Sequence, residues 1–140
     1  MQVAFYKGRT RLFNRLVSWY LRGVYSHCEL VLWTNDDGFS TCASASFMDG
    51  GVRMKSIKLD PDHWDVIDVS GSLSKAVRWV DDHEECRYDI LGLLGFVWRR
   101  TPNSGHRWFC SEAVAAMLGM PEPWRFDPMN LYAALTKGEQ

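Results

Sequence analysis

Residues 25–46 read YSHCELVLWTNDDGFSTCASAS, and the reading of this stretch decides the fold. His27 to Thr34 has the β-branched and aromatic content that suits a half-buried pleated surface. Asn35-Asp36-Asp37-Gly38 supplies turn chemistry, and Phe39 to Ser46 returns as the antiparallel partner. Outward from this hairpin, Gln2–Tyr6 predicts a short strand and Gly50-Gly51 a second turn. Val52–Leu59 and Trp64–Val69 predict two further strands. Four or five antiparallel strands follow.

Helical periodicity brackets these strands. Between the first two strands, Leu12, Phe13, Leu16, Val17 and Tyr20 share one stripe, which predicts a helix over 11–21, with Arg11, Arg15 and Arg22 on its other face. Those arginines read as a solvated face, or as a contact for an anionic surface or substrate. After Gly71, Leu73, Ala76, Val77 and Val80 stand at i, i+3, i+4 and i+7 of an amphipathic helix. Tyr88 to Trp98 is apolar almost all round and predicts a buried helix. Arg99 to Arg107 holds Pro102, Asn103 and Gly105 and reads as a loop. Cys110 to Leu118 predicts another apolar helix, stopped by Gly119 and Pro121. Asp127-Pro128 is a cap followed by a first-turn proline, so a last helix runs from about Met129 to Thr136. Strands first and helices mostly later make an α+β domain, a small antiparallel sheet packed on helices.

Composition sets bounds on this reading. The 140 residues suit one domain over 1–140, and 46% hydrophobic content is enough for a core. Sixteen Lys and Arg against seventeen Asp and Glu argue against a general nucleic-acid binder. No run approaches the roughly 18 apolar residues of a membrane span; the longest, Ile90 to Trp98, has the length of a buried helix. The start, MQVAFYKGRTR, has no apolar stretch of signal-peptide length. Cys28, Cys42, Cys86 and Cys110 form no C-x-x-C pair, so free thiols in a reducing cytoplasm are expected.

Two residues, Cys110 and His27, are the candidates to carry chemistry. A thiol becomes a strong nucleophile as thiolate, favoured by a helix N-terminus and a nearby imidazolium. Cys110 stands where the helix CSEAVAAML begins, after the aromatic pair Trp108-Phe109. His27 opens a strand, where packing can hold an imidazole as general base. Each alone reads more readily as a structural residue; together they are what a thiol hydrolase requires, at any sequence separation. His83-Glu84-Glu85-Cys86 offers two metal ligands without a second pair to complete a zinc site, so neither metal nor cofactor is expected. Asp36 and Asp37 read as turn residues, and Asp60, Asp62 and Asp65 as a solvated loop. Trp33, Trp98 and Trp124 could each line a cleft.

Tyr25-Ser26-His27-Cys28-Glu29-Leu30-Val31-Leu32 resembles the histidine strand of the circularly permuted NlpC/P60 (papain-like) superfamily. That branch includes the YiiX/YaeF-like and lecithin:retinol acyltransferase-like proteins and phage relatives. Phe39–Val52 resembles its return strand, Tyr88-Asp89-Ile90-Leu91-Gly92 the start of the helix before the nucleophile loop, Phe109-Cys110-Ser111-Glu112-Ala113-Val114 the nucleophile motif, and Asp127-Pro128-Met129-Asn130-Leu131 the closing helix start. The resemblance covers most of the chain in order. It implies a permuted papain-like fold with Cys110 as nucleophile and His27 as base.

The resemblance also implies a polar residue that orients the histidine, often a glutamate on the following strand. Ser40 to Ser46 holds no carboxylate, so the chain departs from the pattern near Cys42. Glu29, two residues from His27 and hence on the same strand face, is one replacement. Ser44, across the hairpin, is another, and a water or backbone carbonyl a third. The oxyanion would rest on backbone N–H groups at the Cys110 helix start plus one more donor. Tyr25 and Tyr6 are candidates for that donor, and Ser111 and Ser44 for the cleft. The expected activity is cleavage of an amide in a peptide or peptidoglycan stem peptide through a thioacyl intermediate. Transfer or hydrolysis of lipid-like acyl groups, and a decayed site kept for binding, are the alternatives. If the chain is phage-encoded, its setting is the host cytoplasm or the virion.

Overall fold

The computed structural model describes residues 1–8, 23–88 and 107–137; the expected helix over 11–21 with its arginine face, most of the helix from Tyr88 to Trp98, and the loop from Arg99 lie outside them. The described elements are β1 (Gln2–Tyr6), β2 (His27–Thr34), β3 (Phe39–Ser46), β4 (Gly51–Lys58), β5 (Trp64–Asp68), α1 (Leu73–His83), β6 (Arg87–Tyr88), β7 (Arg107–Trp108), α2 (Cys110–Met117), a 3₁₀ turn (Pro123–Arg125) and α3 (Pro128–Lys137). The architecture is α+β, as expected.

One sheet carries the strands in the order β5-β1-β2-β3-β4-β6-β7. The five long strands are antiparallel and fall within a residue of the expected bounds. Two features differ from the sequence reading. Tyr88 lies in β6 rather than opening a helix, and Arg107 lies in β7 rather than in a loop, the two strands pairing in parallel. Two-residue strands carry no periodicity, so only the sheet edge they meet defines them.

The pleat sends alternate side chains to two faces. Val3, Phe5, Cys28, Leu30 and Leu32 meet α2 and α1 in the main core, whereas Ala4, Val31 and Cys42 form a smaller cluster with Ile57, Leu59 and Trp64. Ala113, Ala115 and Ser111 let α2 lie close to its neighbours, and seven of its eight residues are buried. In α1, Ala76 and Val80 are buried as the periodicity requires, while Leu73 at the helix start stays exposed. Glu112 folds back so that its carboxylate accepts the Phe109 N–H at 3.3 Å, fixing how the chain enters α2. Gly119, at φ +74°, ends α2 by taking the left-handed conformation. Asp127 caps α3, its carboxylate accepting the Asn130 N–H at 2.7 Å. Among the described residues no helix is long and apolar enough to cross a membrane.

Phe5 is fully enclosed and touches the rings of Tyr25 and Tyr132 at 5.3 and 5.2 Å. Phe5→Ala would leave a cavity between β1, β2 and α3 and is expected to cost about 3–5 kcal/mol. Denaturant unfolding followed by tryptophan fluorescence measures this; a loss under about 1 kcal/mol would contradict the packing described.

Candidate active site

Sequence puts His27 and Cys110 far apart; the fold brings them together. The β2–β3 ladder runs from Thr34↔Ser40 to Leu30↔Ala43. Beyond it, toward the start of β2, the backbone of Cys28 finds other partners. Its carbonyl accepts Ser44 Oγ at 2.7 Å, and its N–H donates to the sulfur of Cys110 at the head of α2. The imidazole of His27 also lies within hydrogen-bonding range of that sulfur.

The other side of the imidazole meets Glu29. His27 Nε2 and Glu29 Oε1 are 2.7 Å apart, which leaves Nδ1 to serve the thiol. The i, i+2 spacing along β2 aims both side chains to one face, as the sequence suggested. Glu29 is 1% exposed and His27 19%. A carboxylate so deeply buried needs strong partners, and Arg53 on β4 supplies them. Its Nη1 donates to Oε2 at 2.6 Å and its Nη2 to Oε1 at 2.5 Å. Arg53 Nε donates in turn to Asp49 Oδ2 at 2.9 Å, and Lys55 Nζ to Asp49 Oδ1 at 2.9 Å.

These contacts set the ionisation of the site. Burial alone would push the Cys110 thiol up, but hydrogen bonding from the Cys28 thiol, the charge and hydrogen bond of His27, and the Cys28 N–H together bring it well below the ordinary thiol range. Burial likewise disfavours the His27 imidazolium, yet the Cys110 thiolate and then Glu29 outweigh it and raise it to about 10. Glu29 is held below the usual carboxylate range against its own burial by Arg53 and His27. These shifts all favour a thiolate–imidazolium pair backed by a carboxylate. Cys28 is pushed in the opposite direction, by burial and by the adjacent sulfur, and stays a protonated donor. Burial raises Cys42 to about 12.

The remaining candidates are engaged elsewhere. Tyr25 Oη donates to Asp65 Oδ2 at 2.7 Å, and Lys7 Nζ donates to Asp65 Oδ1 at 2.6 Å. Asp65 is thus a β5 residue tying strands together, not part of a solvated loop. Tyr6 pairs with His27 across β1–β2 and packs its ring on Trp64. Ser111 Oγ donates to the Phe126 carbonyl at 2.6 Å, and Ser44 braces Cys28 rather than His27. Trp33 lies six residues along β2 from His27, roughly 20 Å away, at the exposed end of the hairpin. Trp124 packs under the Arg125 guanidinium at 5.0 Å, and Trp98 lies outside the described residues. His83 stacks on Trp79 at 4.1 Å and its Nδ1 lies 2.7 Å from the Trp79 carbonyl. Among the described residues no cluster of three or more His, Cys, Asp or Glu could hold a metal.

The sequence reading missed two residues. Arg53 was an unremarked member of a strand. Ser26, beside His27, buries its hydroxyl without a partner, a state that costs free energy unless a bound group takes it up. Compared with known proteins, the chain matches no family model and no curated sequence at a significant level.

Cys28, Cys42, Cys86 and Cys110 are thiols rather than disulfides and differ sharply in setting. At pH 6 an ordinary thiol is thiolate roughly once in 300 molecules, whereas Cys110 is expected to be mostly ionised. Its sulfur is enclosed, so a compact reagent such as methyl methanethiosulfonate should outpace a bulky aromatic disulfide. Peptide mapping after brief labelling at pH 6 should find Cys110 modified at least about tenfold faster than Cys86, with Cys28 and Cys42 slowest. Uniformly slow labelling of all four would contradict the ionisation described.

Proposed function

We propose that this chain is a thiol hydrolase with Cys110 as nucleophile, His27 as acid and base, and Glu29 as the residue that orients His27. The observation that carries the reading is the imidazole held between the Cys110 sulfur on one side and the buried Glu29 carboxylate, 2.7 Å from Nε2, on the other. That order of groups is the functional logic of a catalytic triad. The resemblance of the His27 and Cys110 segments to the permuted NlpC/P60 superfamily points the same way, as does the α+β arrangement, with a sheet carrying the histidine and a helix starting at the cysteine.

In the proposed reaction the Cys110 thiolate attacks the carbonyl carbon of an amide, and the carbon–oxygen π electrons move onto oxygen. First-turn N–H groups of α2, which have no intrahelical acceptor, are the donors to that oxyanion. Collapse of the adduct breaks the C–N bond, and His27 gives its proton to the leaving amine. Water then attacks the thioester while neutral His27 takes a proton from it. The thiolate leaves, the imidazolium is restored, and a carboxylic acid is released. Glu29 holds the ring in register and stabilises its charged form throughout. Peptides, including peptidoglycan stem peptides, are the first substrate class to test. The free thiols fit a reducing setting such as a host cytoplasm.

Acyl transfer or ester hydrolysis runs through the same thioester and differs only in the bond attacked or the acceptor. Acid-quenched mass spectrometry separates the readings. With a peptide amide, wild type should accumulate an acyl adduct on Cys110; Cys110→Ala should give none, and His27→Ala should lower turnover by about 10²–10⁴-fold. An adduct formed only from lipid esters would favour the acyl-chain reading, and none with any acyl donor would overturn the hydrolase.

A further inference from the structure

We infer that Arg53 is a positioning residue of this site, which keeps the buried Glu29 carboxylate ionised and aimed at His27 and so keeps the sulfur and the imidazole charged together. The inference rests on the thiol-hydrolase reading and adds to it a fourth charged residue from a strand two places away in the sheet.

The geometry argues it directly. Ser44 on β3 stands opposite Arg53 on β4, and continuing the β2–β3 register from Leu30↔Ala43 puts Glu29 opposite Ser44. A glutamate, a small serine and an arginine thus share one row of one face. The short central side chain lets the guanidinium reach over it to grip both carboxylate oxygens. Such a fork-to-fork pair fixes the plane of the carboxylate as well as its charge. Glu29 Oε1, which receives Nη2, is the oxygen that faces His27 Nε2, so the grip sets where that oxygen lies. Asp49 holds the guanidinium from behind at Nε and is itself held by Lys55.

Charge gives the arrangement its purpose. Cys110 and Glu29 as anions and His27 and Arg53 as cations cancel formally. Without Arg53 the enclosed site would carry a net negative charge, which burial opposes. The other charged or titratable groups facing it are few among the described residues. Cys28 is a protonated donor to the sulfur, Cys42 lies near Glu29 and Arg53, and Asp127 acts on Cys28 from the start of α3. Glu112 is occupied with the Phe109 N–H, and Asp65 with Lys7 and Tyr25. None of these is a cation, and Lys55, the cation behind Arg53, is half exposed and bound to Asp49 rather than to Glu29.

The test follows the pH range over which thiolate and imidazolium coexist, read from thiolate ultraviolet absorbance against Cys110→Ser and from the His27 ring resonances. In Arg53→Gln the acid edge of this range should rise, or the alkaline edge fall, by about one unit or more. Arg53→Lys, which keeps the charge but loses the fork, should lie between it and wild type. Because Arg53 acts through Glu29, Arg53→Gln should change little further in a Glu29→Gln background. That double variant removes both buried charges and so remains testable if Arg53→Gln alone does not fold. Unmoved edges in a folded Arg53→Gln, or an Arg53 effect as large without Glu29 as with it, would overturn the inference. Absence of any coexistence range in wild type would instead overturn the hydrolase reading itself.

Discussion

A carboxylate that is 1% exposed stands at the centre of this structure. Glu29 can remain ionised in such surroundings only because a guanidinium and an imidazole both donate to it. Its position on the third residue of β2 gives the strand a polar point in an otherwise apolar run. From it follow the orientation of His27, the nitrogen left for Cys110, and the requirement for an arginine on β4. The backbone register of β2, β3 and β4 is thereby also the geometry of the site. A one-residue slip of any of these strands would turn its contribution to the opposite face.

The helix contributes the other half. Its first residue is the proposed nucleophile, and its Ala113 and Ala115 bring it down onto β2 and β3. The positive end of the helix, the Cys28 N–H and the Cys28 thiol all favour negative charge on the sulfur. A buried thiol would otherwise resist ionisation, as Cys42 does. Both cysteines are buried, and the contrast between them lies in the donors that surround the Cys110 sulfur.

Local sequence made the strands legible, since their apolar content, turn residues and parity are all short-range. It also exposed Glu29, because two residues along a strand always share a face. Ser44 was correctly set across the hairpin, but its hydroxyl turns to the Cys28 carbonyl. Arg53 was hidden, as its meaning depends on the row Glu29–Ser44–Arg53, which exists only once two registers are fixed. Tyr25 offered a free hydroxyl on paper, but Asp65, forty residues away, accepts from it. The two-residue strands β6 and β7 were invisible for the same reason: two residues have no pattern of their own, and the sheet defines them.

The most direct test of this arrangement is the crystal structure of the protein after reaction with a small peptidyl chloromethyl ketone. The account predicts a single thioether on Cys110, with His27 Nδ1 facing the modified sulfur and Nε2 still on Glu29. A reagent found on another cysteine, or a His27 ring turned away from both Cys110 and Glu29, would contradict it.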